Sequence, residues 1–218
     1  MNKALRLIVL SIALNCCCQI SAVGQDNEPL INRRIDVSFK DSTLIYVVGQ
    51  LSTINRIPSG FEKSPDQTEE VTLNIEMRNR SLRDVLDSIV QQVPSYRWEE
   101  IDGVINLTPN KGRCRFVELL LDLPIKRFMV PTARSKFEIR DTILDLVEVR
   151  DLLASNKIAA ERLYYPNSPS IYTNDDIELS MSNTNVREVL NKVIRESEHK
   201  MWVIDMYGDR KNKLLISF

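Results

Sequence analysis

The sequence predicts an α+β fold of two repeated small domains, each running strand, helix, strand, strand, helix, strand, strand. Three observations carry that expectation. Residues 71–108 and 177–218 share one order of alternating and helical apolar patterns. Arg83, Asp84, Val85 and Leu86 stand against Arg187, Glu188, Val189 and Leu190 at a spacing of 104, and Met77, Asn79 and Trp98 stand against Met181, Asn183 and Trp202 at the same spacing. Upstream, Asp41, Leu44 and Val47 match Asp141, Leu144 and Val147 at 100, while Leu51, Asn55, Arg56 and Ile57 match Leu152, Asn156, Lys157 and Ile158 at 101. One inserted residue reconciles the two spacings. Self-similarity at a fixed period fixes architecture before any motif is weighed, and a period of about a hundred residues is an ordinary domain size.

In the first copy, Ile35, Val37 and Phe39 alternate with Asp36 and Ser38, the period-two pattern of a strand with one buried face. Asp41 or Ser42 caps the helix that follows, whose stripe is Leu44, Val47, Val48 and Leu51. Residues 56–62 return as a strand, and 63–70 form a polar loop. Val71, Leu73, Ile75 and Met77 then alternate as a second half-buried strand. Ser81 caps the next helix with Asp84 three places on, and Leu82, Val85, Leu86, Ile89 and Val93 mark its buried side. Residues 96–101 and 104–108 form a hairpin around Asp102-Gly103, a pair suited to positive φ.

Residues 109–112 mark the boundary, and the apolar segments 116–121 and 125–130 read as strands. The second copy runs through Phe137 and Ile139, a helix from near Asp141, a strand-like 162–165 and a proline-rich loop 166–176. It ends with a helix capped by Asn185 and Glu188, striped by Val186, Val189, Leu190, Val193 and Ile194, and strands near 201–205 and 213–218. The expected organisation is a signal peptide at 1–24, a first domain at 25–109, a linker with extra strands at 110–136, and a more divergent second domain at 137–218.

The signal assignment rests on Lys3 and Arg6, the apolar run 7–14, and Ser21-Ala22-Val23-Gly24 before the expected cleavage at Gln25. That run is shorter than the ~20 residues that cross a bilayer. Cys16, Cys17 and Cys18 leave a second route open, a lipoprotein acylated in that cluster, and membrane association is expected only then. Cys114 alone remains in the mature chain, so the fold relies on its apolar core rather than on internal disulfides. It reads as a half-buried small side chain, with an intermolecular disulfide as the minor alternative.

The balance of 29 basic and 30 acidic residues, a net charge of -1, lacks the basic footprint of a nucleic-acid binder. Apolar residues at 43% suffice for ordinary cores, and 6 glycines leave little room for flexible tails.

The order of elements, and above all the half-unit Val71-Thr-Leu-Asn-Ile-Glu-Met to Gly103-Val-Ile-Asn-Leu, resembles the first periplasmic domain of secretins and the short secretin and TonB N-terminal domain. The resemblance covers residues 35–108 and, more weakly, 137–218. It implies a periplasmic docking module, contacting inner-membrane machinery in secretins or a sigma-regulating protein in transducers. Two copies stand where those families place one, and no ring, plug or barrel sequence follows Phe218, so channel and receptor roles are not expected.

No chemistry emerges from the residues themselves. His199, among Glu196, Glu198 and Lys200, reads as an exposed helix-end residue rather than a ligand or base. Glu99-Glu100 and Asp175-Asp176 could supply an acid and a base, but neighbours on a strand point to opposite faces and acidic doublets are common on surfaces. Trp98 and Trp202 read as core residues before sugar-stacking ones. Asn79-Arg80-Ser81 and Asn106-Leu107-Thr108 match the glycosylation pattern, which carries little weight in a chain expected to be bacterial. The expectation is therefore an exported, non-catalytic interaction module of the cell envelope serving a secretion or transport system, with no catalytic, cofactor or metal residues and an envelope protein as partner. The alternative is a wall-binding protein or hydrolase using a cleft between the copies.

Overall fold

A computed structural model describes residues 29–64, 71–130, 136–162, 177–198, 200–208 and 211–218. The signal segment, Cys16 to Cys18, Asp175-Asp176, His199 and most of the strand expected at 162–165 lie outside the described residues. The fold is α+β, with helices packed on mixed sheets.

The alternation of Ile35 and Val37 with Asp36 and Ser38 makes β1 (Arg34–Thr43), which pairs antiparallel with β3 (Thr72–Ser81). The pairing carries two register shifts, between Ile35 and Val37 and between Phe39 and Ser42. Thr43, rather than Asp41 or Ser42, caps α1 (Leu44–Thr53), its Oγ1 accepting from Tyr46 N–H at 3.4 Å. The strand outlasts the sequence expectation because Asp41 takes a φ of 47° and donates its N–H to Asn74 Oδ1 at 3.0 Å, which keeps the chain in the pair. Leu44, Val47, Val48 and Leu51 of α1 are buried, each contributing roughly 1.5–3 kcal/mol.

Beyond Arg56 (φ 53°) the chain enters the short β2 (Ser59–Glu62), buried along its whole length. Ser81 caps α2 (Leu82–Gln92), accepting from Asp84 N–H at 3.1 Å. The hairpin of β4 (Tyr96–Ile101) and β5 (Val104–Pro109) turns through Asp102 (φ 53°) and Gly103 (φ 72°), both in the left-handed region that the Asp-Gly pair anticipates.

Residues 114–130, within the segment read above as a linker with extra strands, pack into the second core. Residues 115–121 form a helix, α3 (Arg115–Leu121), because Phe116, Val117, Leu120 and Leu121 close one side of a helix at spacings of one, four and five. β6 (Pro124–Val130) is a strand as expected, and it pairs antiparallel with β8 (Leu179–Asn185). It occupies the place given above to Phe137 and Ile139, which instead lie in α4 (Lys136–Leu144), where Ile139 and Ile143 are buried one turn apart. α5 (Val147–Ser155) and the two-residue β7 (Ala159–Ala160) follow. Asn185 caps α6 (Val186–Glu196), accepting from Glu188 N–H at 2.9 Å, before β9 (Met201–Tyr207) and β10 (Lys213–Ser217).

The pairing pattern of the first half recurs in the second. β1 with β3 corresponds to β6 with β8, and the set β4-β5-β2 corresponds to β9-β10-β7. Left-handed residues recur too, Arg56 (53°) with Lys157 (56°) and Asn79 (51°) with Asn183 (53°). So does a side-chain bond between helix and strand: Trp98 Nε1 donates to Asp87 Oδ1 at 2.9 Å, and Trp202 Nε1 to Asn191 Oδ1 at 2.8 Å.

The two three-stranded sets join edge to edge into one sheet ordered β4-β5-β2-β9-β10-β7. Relative to β2, strands β5 and β9 run the same way, whereas β4, β10 and β7 run the opposite way. The second set is thus turned over about an axis crossing the strands. Its apolar residues Trp202, Ile204, Leu214 and Ile216 pack with α6 on one face, while Tyr96, Ile105, Leu107 and Phe61 pack with α1 and α2 on the other.

Candidate docking interface

Everything distinctive about this fold converges on β2, which carries the seam between the halves. Its register against β9 sets Ser59 opposite Met201, Gly60 opposite Trp202, Phe61 opposite Val203 and Glu62 opposite Ile204. Trp202 lies flat across Gly60: a Cβ added there would stand 2.1 Å from Trp202 Cζ2 and 2.3 Å from Cε2. Only glycine lets the indole close over the strand. Backbone bonds complete the seam, Ser59 N–H to Lys200 O at 2.7 Å and Lys63 N–H to Ile204 O at 2.9 Å. Lys63 also reaches Asp205 at 2.9 Å, and Arg195 donates to Asp102 O at 2.8 Å.

Glu62 sits at 1% exposure with two guanidinium partners. Arg113 clasps it with Nε to Oε2 at 2.7 Å and Nη2 to Oε1 at 3.0 Å, and Arg187 from α6 adds Nη2 to Oε1 at 2.9 Å. Arg187 Nη1 also reaches Asn106 Oδ1 at 3.4 Å. Burial opposes the charge on Arg113, but the hydrogen bond and charge of Glu62, with Glu118 and Asp122, outweigh it and hold its pKa above the ordinary value. The network therefore ties β2 of the first half, the connection to α3, and α6 of the second half into one body. On the opposite face Tyr96 stacks on Phe61 with ring centroids 5.5 Å apart and its hydroxyl accepts from Ser64 N–H at 2.9 Å. Burial, then the nearby Glu62 and Asp205 charges, push the Tyr96 phenol up to about 12 against the opposing Ser64 bond.

With the seam fixed, the sheet ends in β4 on one side and β7 on the other, and among the described residues neither has a second neighbour. Such edges offer rows of main-chain donors and acceptors to another strand. Beside β4, a recess of about 280 Å³ opens on the face away from α1 and α2. Arg97, Glu99 and Thr108 line it from the first half, Asn185, Arg187 and Glu188 from the second. Its carboxylates are engaged or exposed: Glu188 accepts from Thr184 Oγ1 at 2.6 Å and Asn185 Nδ2 at 3.1 Å, and Glu99 is exposed on β4.

The sequence-derived candidates scatter. Glu99 and Glu100 occupy opposite faces of β4, as strand geometry dictates. Trp202 is fully buried in the second core, whereas Trp98 is half-buried at the sheet edge beneath Arg83, whose Cζ lies 5.5 Å from the ring centroid. Cys114 is half-buried at the start of α3 and packs on the second core. Sequence reasoning missed Gly60, Glu62, Arg113 and Arg187. One signal was present, since Arg187 and Asn191 stand one turn apart beside the apolar stripe of α6, a polar pair at the margin of a buried face. Among the described residues no group of three or more His, Cys, Asp or Glu is placed to hold a metal ion, and no helix is long and apolar enough to cross a membrane. The chain matches no family model and no curated protein.

Proposed function

We propose that this chain is an exported, non-catalytic docking module of the bacterial cell envelope, acting in the periplasm and built from two secretin-N-terminal-like units. The observation that carries this reading is the six-stranded sheet, closed at its seam by Gly60, Trp202 and Glu62, whose two edges are unpaired among the described residues. A strand from a partner adds to such an edge through main-chain bonds, with side-chain contacts giving selectivity. Among the described residues the one fully buried carboxylate, Glu62, is committed to two arginines, which favours a structural role for it over proton transfer.

The test is crosslinking in intact cells followed by affinity capture, with an unrelated exported protein as control. A reproducible envelope partner, lost when Ala160→Pro spoils the β7 edge or Glu100→Pro the β4 edge, where each N–H points out from the sheet, supports the proposal; capture that ignores both edges overturns it. A second reading has the recess beside β4 in its favour, because residues from both halves line it. Retention of the protein on purified cell wall, lost on Arg97→Ala with Glu99→Ala, would move wall binding ahead.

A further inference from the structure

Inside the chain, one half closes on the other through a short set of groups on one face of the sheet. Trp202 of β9 covers the small Gly60, and two residues along the same strand Glu62 takes Arg187 of α6. The first half carries the matching tryptophan and arginine, Trp98 and Arg83, each 104 residues earlier. They too lie together, at the start of α2 and on β4, with the guanidinium 5.5 Å from the indole centroid. Yet Arg83 is exposed, Trp98 is only half-buried, and β4 has no neighbour but β5 among the described residues. These groups have the chemistry of a seam and no strand to close on.

The opposite end of the sheet presents what they fit. Cross-strand register runs from Trp98 through Leu107, Phe61, Val203 and Ser217, so Lys213, its partner Ala159, and Glu161 two places on share the face of Trp98. Ala159 and Glu161 are spaced as Gly60 and Glu62 are, a small residue followed at the next same-face position by an acid, and the Ala159 methyl holds an indole farther from the strand than Gly60 does. Glu161 pairs with Lys213 at 3.1 Å on the surface. The N–H groups of Ala159 and Glu161 point inward to Asn212 O at 2.9 Å and Leu214 O at 2.8 Å, so the N–H of Ala160 points out from the edge.

Strand directions agree as well. β4 and β7 run the same way across the sheet, so a second copy related by translation lays its β4 parallel to β7, as β9 lies parallel to β2 within the chain. Resting on the docking reading above, we propose that the partner at these edges is a second copy of this chain, joined head to tail with Trp98 over Ala159 and Arg83 against Glu161. The two surfaces differ, so the contact does not use itself up: each added copy again exposes a free β7 or a free β4, giving an open row or a ring.

Sedimentation of the purified protein over a concentration series tests this. Association beyond a dimer is expected, weakened on the order of tenfold or more by Arg83→Glu or by Glu161→Arg, because like charges then face one another. Both sites are on the surface, so folding should survive, as circular dichroism will verify. The decisive variant carries both substitutions, which restores opposite charges at every contact and should restore association. A protein that stays monomeric, or one whose association ignores Arg83→Glu, overturns the proposal. The docking reading fails separately, since it stands if the monomeric protein still captures an edge-dependent envelope partner and falls if it does not.

Discussion

Gly60→Ala is the smallest change that asks whether the seam is as tight as it looks. The added methyl would lie 2.1 Å from Trp202 Cζ2, 2.3 Å from Cε2 and 2.9 Å from Asn106 Oδ1, where ordinary contact begins near 3.4 Å. The indole must therefore retreat by roughly an ångström, and it has nowhere to go: Trp202 is fully buried and tied to Asn191 at 2.8 Å. Overpacking a tight core costs about 1–3 kcal/mol, and losing the indole bond to Asn191 adds about 1 kcal/mol. The expected loss is about 2–4 kcal/mol, read as a lowered urea midpoint with an unchanged slope. Trp202→Leu removes the colliding atoms, so adding Gly60→Ala to that background should cost less than half as much, a coupling visible in the double-mutant cycle. Equal stability of Gly60→Ala and the parent protein, or simple additivity with Trp202→Leu, would refute the close approach.

Other consequences of the seam can be read with the same assays. Glu62→Gln leaves two guanidiniums without their counter-charge and should cost about 3–5 kcal/mol, whereas Arg187→Leu should cost less because Arg113 keeps both of its bonds to Glu62. Trp202→Ala is expected to lose about 3–5 kcal/mol in thermal or urea unfolding, with Trp98→Ala losing less than half of that because its ring is only half-buried. Tyr96 predicts alkaline sensitivity with a defined sign. Its phenol rises from 10.0 to about 12 on folding, so both states are neutral below pH 10 and the unfolded state alone ionises as pH climbs toward 12. Stability should fall through that window by about 2–3 kcal/mol, a fall that Tyr96→Phe should abolish.

Where a residue's surroundings are local, the sequence made the structure legible. Period-two apolar runs, the Ser81 and Asn185 caps and the Asp102-Gly103 hairpin depend on neighbours a few residues away, and each forms as expected. The failures are tertiary. Phe116 to Leu121 reads as an apolar run that suits either a strand or one side of a helix, and only the core beneath it selects the helix. Asp41 could cap a helix, but a bond to Asn74 on the partner strand holds it in β1. The seam was least legible of all, because Glu62, Arg113, Arg187 and Gly60 lie up to 127 residues apart and acquire a common purpose only when two edges meet.

That purpose is register. A one-residue slip of β2 along β9 would bring Ser59 or Phe61 beneath Trp202 and send Glu62 to the face of α1 and α2, away from both arginines. The small residue and the acid, on one face and two places apart, thus exclude every odd shift. Backbone pairing alone cannot do this, because its hydrogen bonds are alike at every step. A buried ion pair is a weak source of net stability, yet it sets a steep cost on every arrangement that leaves either partner alone. Gly60 supplies the complementary restriction, since no other position on β2 admits an indole at this distance. An edge marked in this way accepts one partner in one alignment, and Ala159 and Glu161 set a small residue and an acid at the same spacing on the edge that has no neighbour among the described residues.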